Sequence, residues 1–501
     1  LVRRGFGVST GRARGFGGGE PFAERRDAEA KASAASGAAQ ATAASGCAGA
    51  DGRDGPPLAG VLDVAALRKR LAAAEPSGSP RRDAEAAADE TSRERRAAAA
   101  AVLRAALTEG RGRIETAFFD RRLTGRQAAA AIAWLTDRIV AATVQFVIER
   151  APGGGAGARS ERLSVIAVGG YGRGEMAPFS DVDLLFLTPY KTTAWAETVV
   201  EGVLYMLWDL KLKVGHATRT VDECLRLAAQ DMTIRTTLLE TRLIEGSGEA
   251  YETLERRLRG ELLPGAGSAF VRAKLAEREE RHERTGGSRY MLEPHVKDGK
   301  GGLRDIHTLY WISGHLYGSH DRAALIEKGV FTAEETSRLE NAANHLWTVR
   351  CGMHYVAGRA QEKLTFDLQV ELAERFGYRR TTGARPVERF MKRTYIAARA
   401  IGELTRIFCA ALEQQHQKDP PLLGGLRRLF PTARRGAPAP DGMEMKDGRL
   451  TLSDPAAIAE RPILLLRLFE EAIRAEILTH PHALRVAARA RRPVERLRED
   501  P

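Results

Sequence analysis

The sequence predicts an α+β protein: a small mixed sheet that carries the functional site, followed by an all-α helical domain, with a disordered N-terminal tail ahead of both. Three observations lead there. Two short apolar runs, LSVIAV (Leu163–Val168) and VDLLFL (Val182–Leu187), are too short for buried helices and are bounded by glycine and turn residues, so both read as strands. The segments flanking them place apolar residues at helical spacing. Beyond about residue 262 the chain reads as helix after helix, with no further strand signal.

Taken in order, residues 1 to about 60 are rich in Gly, Ala, Arg and Ser and poor in large apolar side chains, so they cannot offset the entropy of ordering. The chain begins at Leu1, which suggests a fragment or an over-extended start, and no chemistry is assigned to this stretch. A short helix is expected over Val61–Ala74 and a second low-complexity stretch over Ser77–Thr91; together they make residues 1–94 a mostly disordered tail. From Arg95 to Glu149, Leu103, Leu107, Ile114, Phe118, Ile132, Leu135 and Ile139 recur at helical spacing, so two or three helices precede the first strand. The Gly-rich loop Ala151–Ser160 separates them from it. After the second strand come a helix over Trp195–Leu212, a third strand in KVGHATRT (Lys213–Thr220) and a helix over Val221–Ala229, which closes a domain of residues 95–262. Residues 263–418 form the helical domain. Pro420, Pro421, Pro431, Pro438 and Pro440 break the helical connector 419–501, whose last amphipathic segment is Ile463–Ile477.

With 501 residues the chain is too long for one core. It has no run of about eighteen apolar residues and no signal-peptide apolar region, so it is expected in the cytoplasm with no membrane partner. Cys47, Cys224, Cys351 and Cys409 lack the spacing of a zinc or redox site. The net charge of +12 is scattered and not interleaved with aromatics, which reads as solvated surface and argues against a nucleic-acid partner.

The chemistry concentrates in GGYGRGEMAPFSDVDLLFL, Gly169–Leu187. Asp181 and Asp183 stand two residues apart at the start of a strand, so both carboxylates face one side while Val182 points inward, and together they can grip one divalent ion. Gly169 and Gly170 end the preceding strand without Cβ atoms, which lets backbone N–H groups turn toward phosphate, and Ser180 adds a hydroxyl. Neither the dinucleotide-binding glycine spacing nor a P-loop is present: Gly299-Lys300 lacks the upstream glycine and the following Ser or Thr. What remains is a metal-dependent phosphate site.

The order strand, Gly-Gly, Ser-Asp-x-Asp, strand resembles the polymerase-β-like nucleotidyltransferase superfamily. The longer form GGYGRGE…P.SDVDLL is similar to the N-terminal part of the bifunctional uridylyltransferase and uridylyl-removing enzymes of bacterial nitrogen signalling, which modify the regulatory protein PII. The blocks LWDLKLKVGHATRTVDECL (207–225), TLLETRLIEG (237–246), EPHVKDGKGGLRDIHTLYWI (293–312), LTFDLQ (364–369) and VERFMKRTY (387–395) carry the same resemblance across most of residues 100–415.

That resemblance implies transfer of UMP from UTP to a tyrosine of PII with release of pyrophosphate, and Mg²⁺, as two ions, held by Asp181 and Asp183. It also implies a third carboxylate on a later strand. KVGHATRT offers none; Glu240 is the candidate, against an ion pair with Arg242, and Asp209 and Asp222 are weaker. Arg173 is expected either to hold the β- or γ-phosphate or to clamp its loop through Glu175. His216 stands near the third strand, where it reads as a structural or a substrate-touching side chain. Glu293–Asp305 reads as a charged loop folding over the nucleotide, with Lys297, Lys300 and Arg304 meeting the triphosphate or acceptor. The family's HD hydrolase and ACT domains lie beyond Pro501, so uridylyl removal and glutamine sensing are not expected here. The competing readings are an ATP-using adenylyltransferase of the same superfamily and a non-catalytic nucleotide-binding module.

Overall fold

The computed structural model describes residues 60–73, 85–151, 162–263, 267–318, 326–328, 330–415, 440–446, 449–475, 477 and 479–490. The sequence expectations for residues 1–59, and most of the Gly-rich loop before the first strand, lie outside them.

Among the described residues, α1 (Val64–Ala73) and α2 (Glu85–Phe119) precede α3 (Gly125–Ile148). The first helix and the start of the second therefore fall inside the stretch assigned to the tail. Thr124 caps α3 through a reciprocal bond with Gln127, satisfying two first-turn donors. By length and composition α3 could cross a membrane, but 67% of its apolar window is buried inside the fold, as in a core helix.

The sheet is built from β1 (Ser164–Ala167), the one-turn α4 (Gly169–Gly172) and β2 (Val182–Thr188). Next come α5 (Ala194–Asp209), β3 (Val214–Thr220), α6 (Val221–Gln230), α7 (Met232–Leu238), β4 (Arg242–Gly246) and α8 (Gly248–Arg257). The strand order is β3-β2-β1-β4, with β1 antiparallel to both neighbours and β2 parallel to β3. Strand alternation gives the sheet two apolar faces. Val182, Leu184 and Phe186 join the core formed with α3 and α5, whereas Leu185 and Leu187 pack with Cys224 and Leu225 of α6 and Leu254 of α8. β4 was not read from the sequence, because TRLIEG alternates too weakly to mark a strand.

The helices α9 (Gly267–Arg284), α10 (Leu303–Tyr317), α11 (Ala333–Ala357), α12 (Phe366–Arg375) and α13 (Pro386–Gln415) follow. One hydrophobic cluster runs from Leu103 and Ile132 through Leu309 and Trp347 to Phe390 and Phe408, so the helical region shares its core with the sheet domain. Val296 and Leu303, in and just after the loop ahead of α10, belong to the same cluster.

One sequence expectation is corrected in the C-terminal stretch. Before α14 (Ile463–Arg474) and α15 (Pro481–Arg489), β5 (Met443–Lys446) pairs antiparallel with β6 (Arg449–Leu452), where helices alone were expected. Met443, Leu450 and Leu452 are buried and Glu444 exposed, an alternation that the proline-rich surroundings obscured in the sequence.

Candidate active site

β1 delivers the chain to α4, and a second turn at Ser180 delivers the carboxylates. The Ser180 N–H donates to the Ala177 carbonyl at 3.0 Å, while its Oγ accepts from the Ala177 N–H at 3.1 Å. Asp181 therefore precedes β2 and Asp183 is its second residue, with Val182 between them buried in the core. Burial and then the charge of Asp181 raise the Asp183 carboxyl above its ordinary value, and the Lys297 ammonium opposes them. Asp181, Asp183 and Lys297 thus share one electrostatic site.

The Asp183 carboxylate lies between two glycines. Gly215 is its register partner on β3, and a Cβ there would stand 2.5 Å from Asp183 Oδ1. Gly169, at φ +61°, adopts the left-handed conformation that favours glycine, and a Cβ on it would lie 3.9 Å from Oδ2. Gly215 was not singled out in the sequence, although an interior strand glycine marks a close approach.

Arg173 turns back from α4 into a buried ion network. Its Nη1 donates to Glu240 Oε2 at 2.6 Å and its Nε to Glu175 Oε2 at 3.1 Å. The other Glu240 oxygen accepts from Trp311 Nε1 on α10. His307, one turn earlier on the same helix, has Nε2 3.5 Å from Glu175 Oε2. Burial and the Arg173 charge lower the His307 pKa to about 3, so the imidazole is neutral near pH 7, while His307 and Arg173 hold Glu175 far below the usual carboxylate range. Glu240, expected as a third metal carboxylate, has both oxygens engaged in this way. Arg242, its expected partner, pairs instead with Asp137 at 2.6 Å. Asp209 is exposed, and Asp222 is exposed and paired with Arg257.

A cleft of about 470 Å³ opens between this network and the helical region. Gly169, Gly170, Arg173 and Glu240 line it from the sheet side, Arg281 and Arg304 from the helical side. Arg304 also bonds Asp298 at 3.3 Å and lies over the Trp311 ring at 5.5 Å. Lys297 sits instead near Arg350 and Glu362, whose positions on and after α11 could not be read from local sequence. Burial, followed by the Arg350 charge, lowers the Lys297 pKa. Arg350 holds Glu362 at 2.5 Å, and His354, fully buried on α11, accepts the Phe179 N–H at 3.3 Å just ahead of Ser180. Lys300 lines a small separate cavity with Thr394 and Tyr395 and is not among the residues lining the cleft. Glu293 pairs with Lys363 at 2.8 Å, and Asp305 is buried between Arg281 and His282, so both organise the loop. His216 is exposed on β3.

Among the described residues no group of three or more His, Cys, Asp and Glu side chains is arranged around a metal position. The donors available are the two adjacent carboxylates. Hard carboxylate oxygens suit a magnesium ion that takes its remaining ligands from phosphate and water.

A nucleotidyltransferase domain model matches residues 157–244, the segment carrying β1 to β3, the start of β4 and both aspartates. The model of the GlnD PII-uridylyltransferase family matches residues 269–409, the helical region. The helical region thus matches the PII-uridylyltransferase family model, and the chain is similar in sequence to enzymes of that kind. It is 45% identical over 402 residues, 79% of the chain, to the bifunctional uridylyltransferase/uridylyl-removing enzyme of a Bradyrhizobium species. The enzyme of the same name from Ruegeria pomeroyi is 47% identical over 78% of the chain, and that from Cereibacter sphaeroides 45% identical over 86%. The chain spans under half the length of these relatives: 42%, 42% and 45%.

Proposed function

We propose that the chain transfers UMP from UTP to a tyrosine hydroxyl of PII, releasing pyrophosphate, in the cytoplasm. The observation that carries this reading is the Asp181–Asp183 pair beside a glycine turn that opens onto a basic cleft. Magnesium bound at Asp181 and Asp183 would neutralise the phosphates and polarise the α-phosphorus. Gly169 and Gly170 leave bare backbone toward the cleft, where Arg304 and Arg281 add positive charge for the triphosphate. Lys297 supplies a cation beside Asp183. Glu240 and Glu175 hold Arg173 so that the glycine turn keeps its place. The tyrosine oxygen bonds to the α-phosphorus, the bond to the bridging oxygen breaks, pyrophosphate leaves and the hydroxyl proton passes to water. Positioning and charge neutralisation supply most of the rate.

One observation favours the non-catalytic alternative: no third carboxylate joins the pair among the described residues. Incubation with α-labelled UTP and purified PII separates the readings. Label on PII that requires Mg²⁺ supports transfer; UTP binding without label in either condition supports a binding module, and label from ATP instead points to an adenylyltransferase.

A further inference from the structure

β3 is an edge strand of the sheet, and the direction of the reaction makes that edge significant. Transfer to an acceptor requires the attacking oxygen and the leaving pyrophosphate to lie in line, on opposite sides of the α-phosphorus. The Asp183 carboxylate has the glycine turn of the nucleotide cleft on one side and Gly215 of β3 on the other. With the triphosphate toward Gly169 and Gly170, the acceptor has to approach from the Gly215 side.

That side offers free backbone. The Val182 N–H donates to the Lys213 carbonyl at 2.8 Å. In a parallel ladder alternate residues address the same neighbour, so Gly215, Ala217 and Arg219 bond β2 while Val214, His216 and Thr218 turn their N–H and C=O groups outward. Gly215 and His216 are exposed, and no strand pairs with this edge among the described residues. The Cβ-less Gly215 also lets the Asp183 carboxylate lie over this edge, within reach of a side chain arriving along it.

Further along the same edge, on the α5 face, lies a groove of about 530 Å³ lined by Leu204, Tyr205, Trp208 and Thr218 together with Glu197 and Glu201. Tyr205 and Trp208 meet edge to face at 5.6 Å and are each 46% exposed. The Tyr205 hydroxyl donates to Glu201 Oε1 at 3.2 Å. Two exposed aromatic rings beside two carboxylates complement a long cationic side chain, whose stem packs on the rings while its charge meets the acids. The parity fits. Gly215 lies on the Asp183 face and Thr218, three positions on, lies on the opposite face, so residues three apart on one extended chain serve both places.

Resting on the proposed transfer, the geometry points to β3 as the docking edge for the acceptor. The acceptor's hydroxyl-bearing segment adds as a strand along Val214–Thr220, with the reactive residue beside Gly215 and a lysine or arginine three residues away in the Trp208 groove. Backbone pairing supplies affinity, and the groove sets the register.

The test measures steady-state labelling of purified PII from α-labelled UTP by the full chain, alongside UTP binding at equilibrium. Glu201→Lys and Trp208→Ala are expected to raise KM for PII about tenfold or more while the Kd for UTP stays unchanged. His216→Pro, which removes one outward N–H and spares the ladder to β2, is expected to do the same. In PII, each Lys or Arg near the labelled tyrosine is changed singly to Glu. One such variant is expected to lose labelling by the wild-type enzyme and to regain it with Glu201→Lys. Labelled PII with KM indifferent to Glu201→Lys and Trp208→Ala overturns the docking edge alone. PII left unlabelled by the wild-type enzyme overturns the parent reading and the docking edge together. The two surface variants decide the matter even where His216→Pro fails to fold.

Discussion

At Asp183 the demands of catalysis and of stability oppose each other. Its folded-state carboxyl is raised by burial and by Asp181, so the contribution of this one group to the stability of the metal-free protein is fully present below the unfolded carboxylate value and falls as pH rises through the folded one. Asp183→Asn removes that cost together with the metal charge. Transfer should vanish, while the melting temperature measured in chelator near neutral pH should rise; a lower melting temperature would show that the carboxylate is structurally favourable. Gly215→Ala acts on the same group by crowding. The atom met at 2.5 Å is the end of a flexible side chain, so the fold should survive by rotating the carboxylate. Transfer should fall about a hundredfold, since a displacement of about 1 Å is enough to cost that much. Single-turnover labelling and circular dichroism check the two halves of this expectation.

At the scale of elements, α10 ties the helical region to the glycine turn. His307 and Trp311 stand four residues apart, on one face of the helix, and meet Glu175 and Glu240 from the sheet domain. Glu240→Gln keeps the shape but removes the charge facing Arg173, a pair whose side chains are 4% and 15% exposed. Arg173 retains Glu175, so the loss of stability in denaturant unfolding should be about 2 kcal/mol. With Glu240 acting on Arg173 rather than on metal, the Mg²⁺ concentration for half-maximal labelling should stay unchanged. A severalfold increase would restore Glu240 as a metal ligand.

Across the whole molecule, the shared core makes domain contacts part of the site. Glu362 is held down to about 2 by His354 and Arg350, and His354 in turn receives the Phe179 amide beside the aspartate segment. A depressed carboxyl contributes stability above its unfolded value, and that stability is lost as pH falls through about 2. Acid unfolding should therefore steepen below the ordinary carboxylate range, and Glu362→Gln should flatten that limb. Calorimetry over an acid series measures it.

Sequence alone determined β1, β2 and β3, the glycine turn and the Asp-x-Asp pair, because short apolar runs and glycine breaks are local signals that survive without a fold. It also located Arg173 and Lys297, since charge beside a turn is visible in one dimension. Only the tertiary structure decided which carboxylate meets which cation: Glu240 with Arg173, Arg242 with Asp137, and Lys297 beside Asp183. These partners come from segments about 70 to 115 residues apart, and such distant pairings are fixed by how helices bury their apolar faces, which no local pattern encodes. For the same reason Gly215 became meaningful only once parallel pairing placed it beside Asp183.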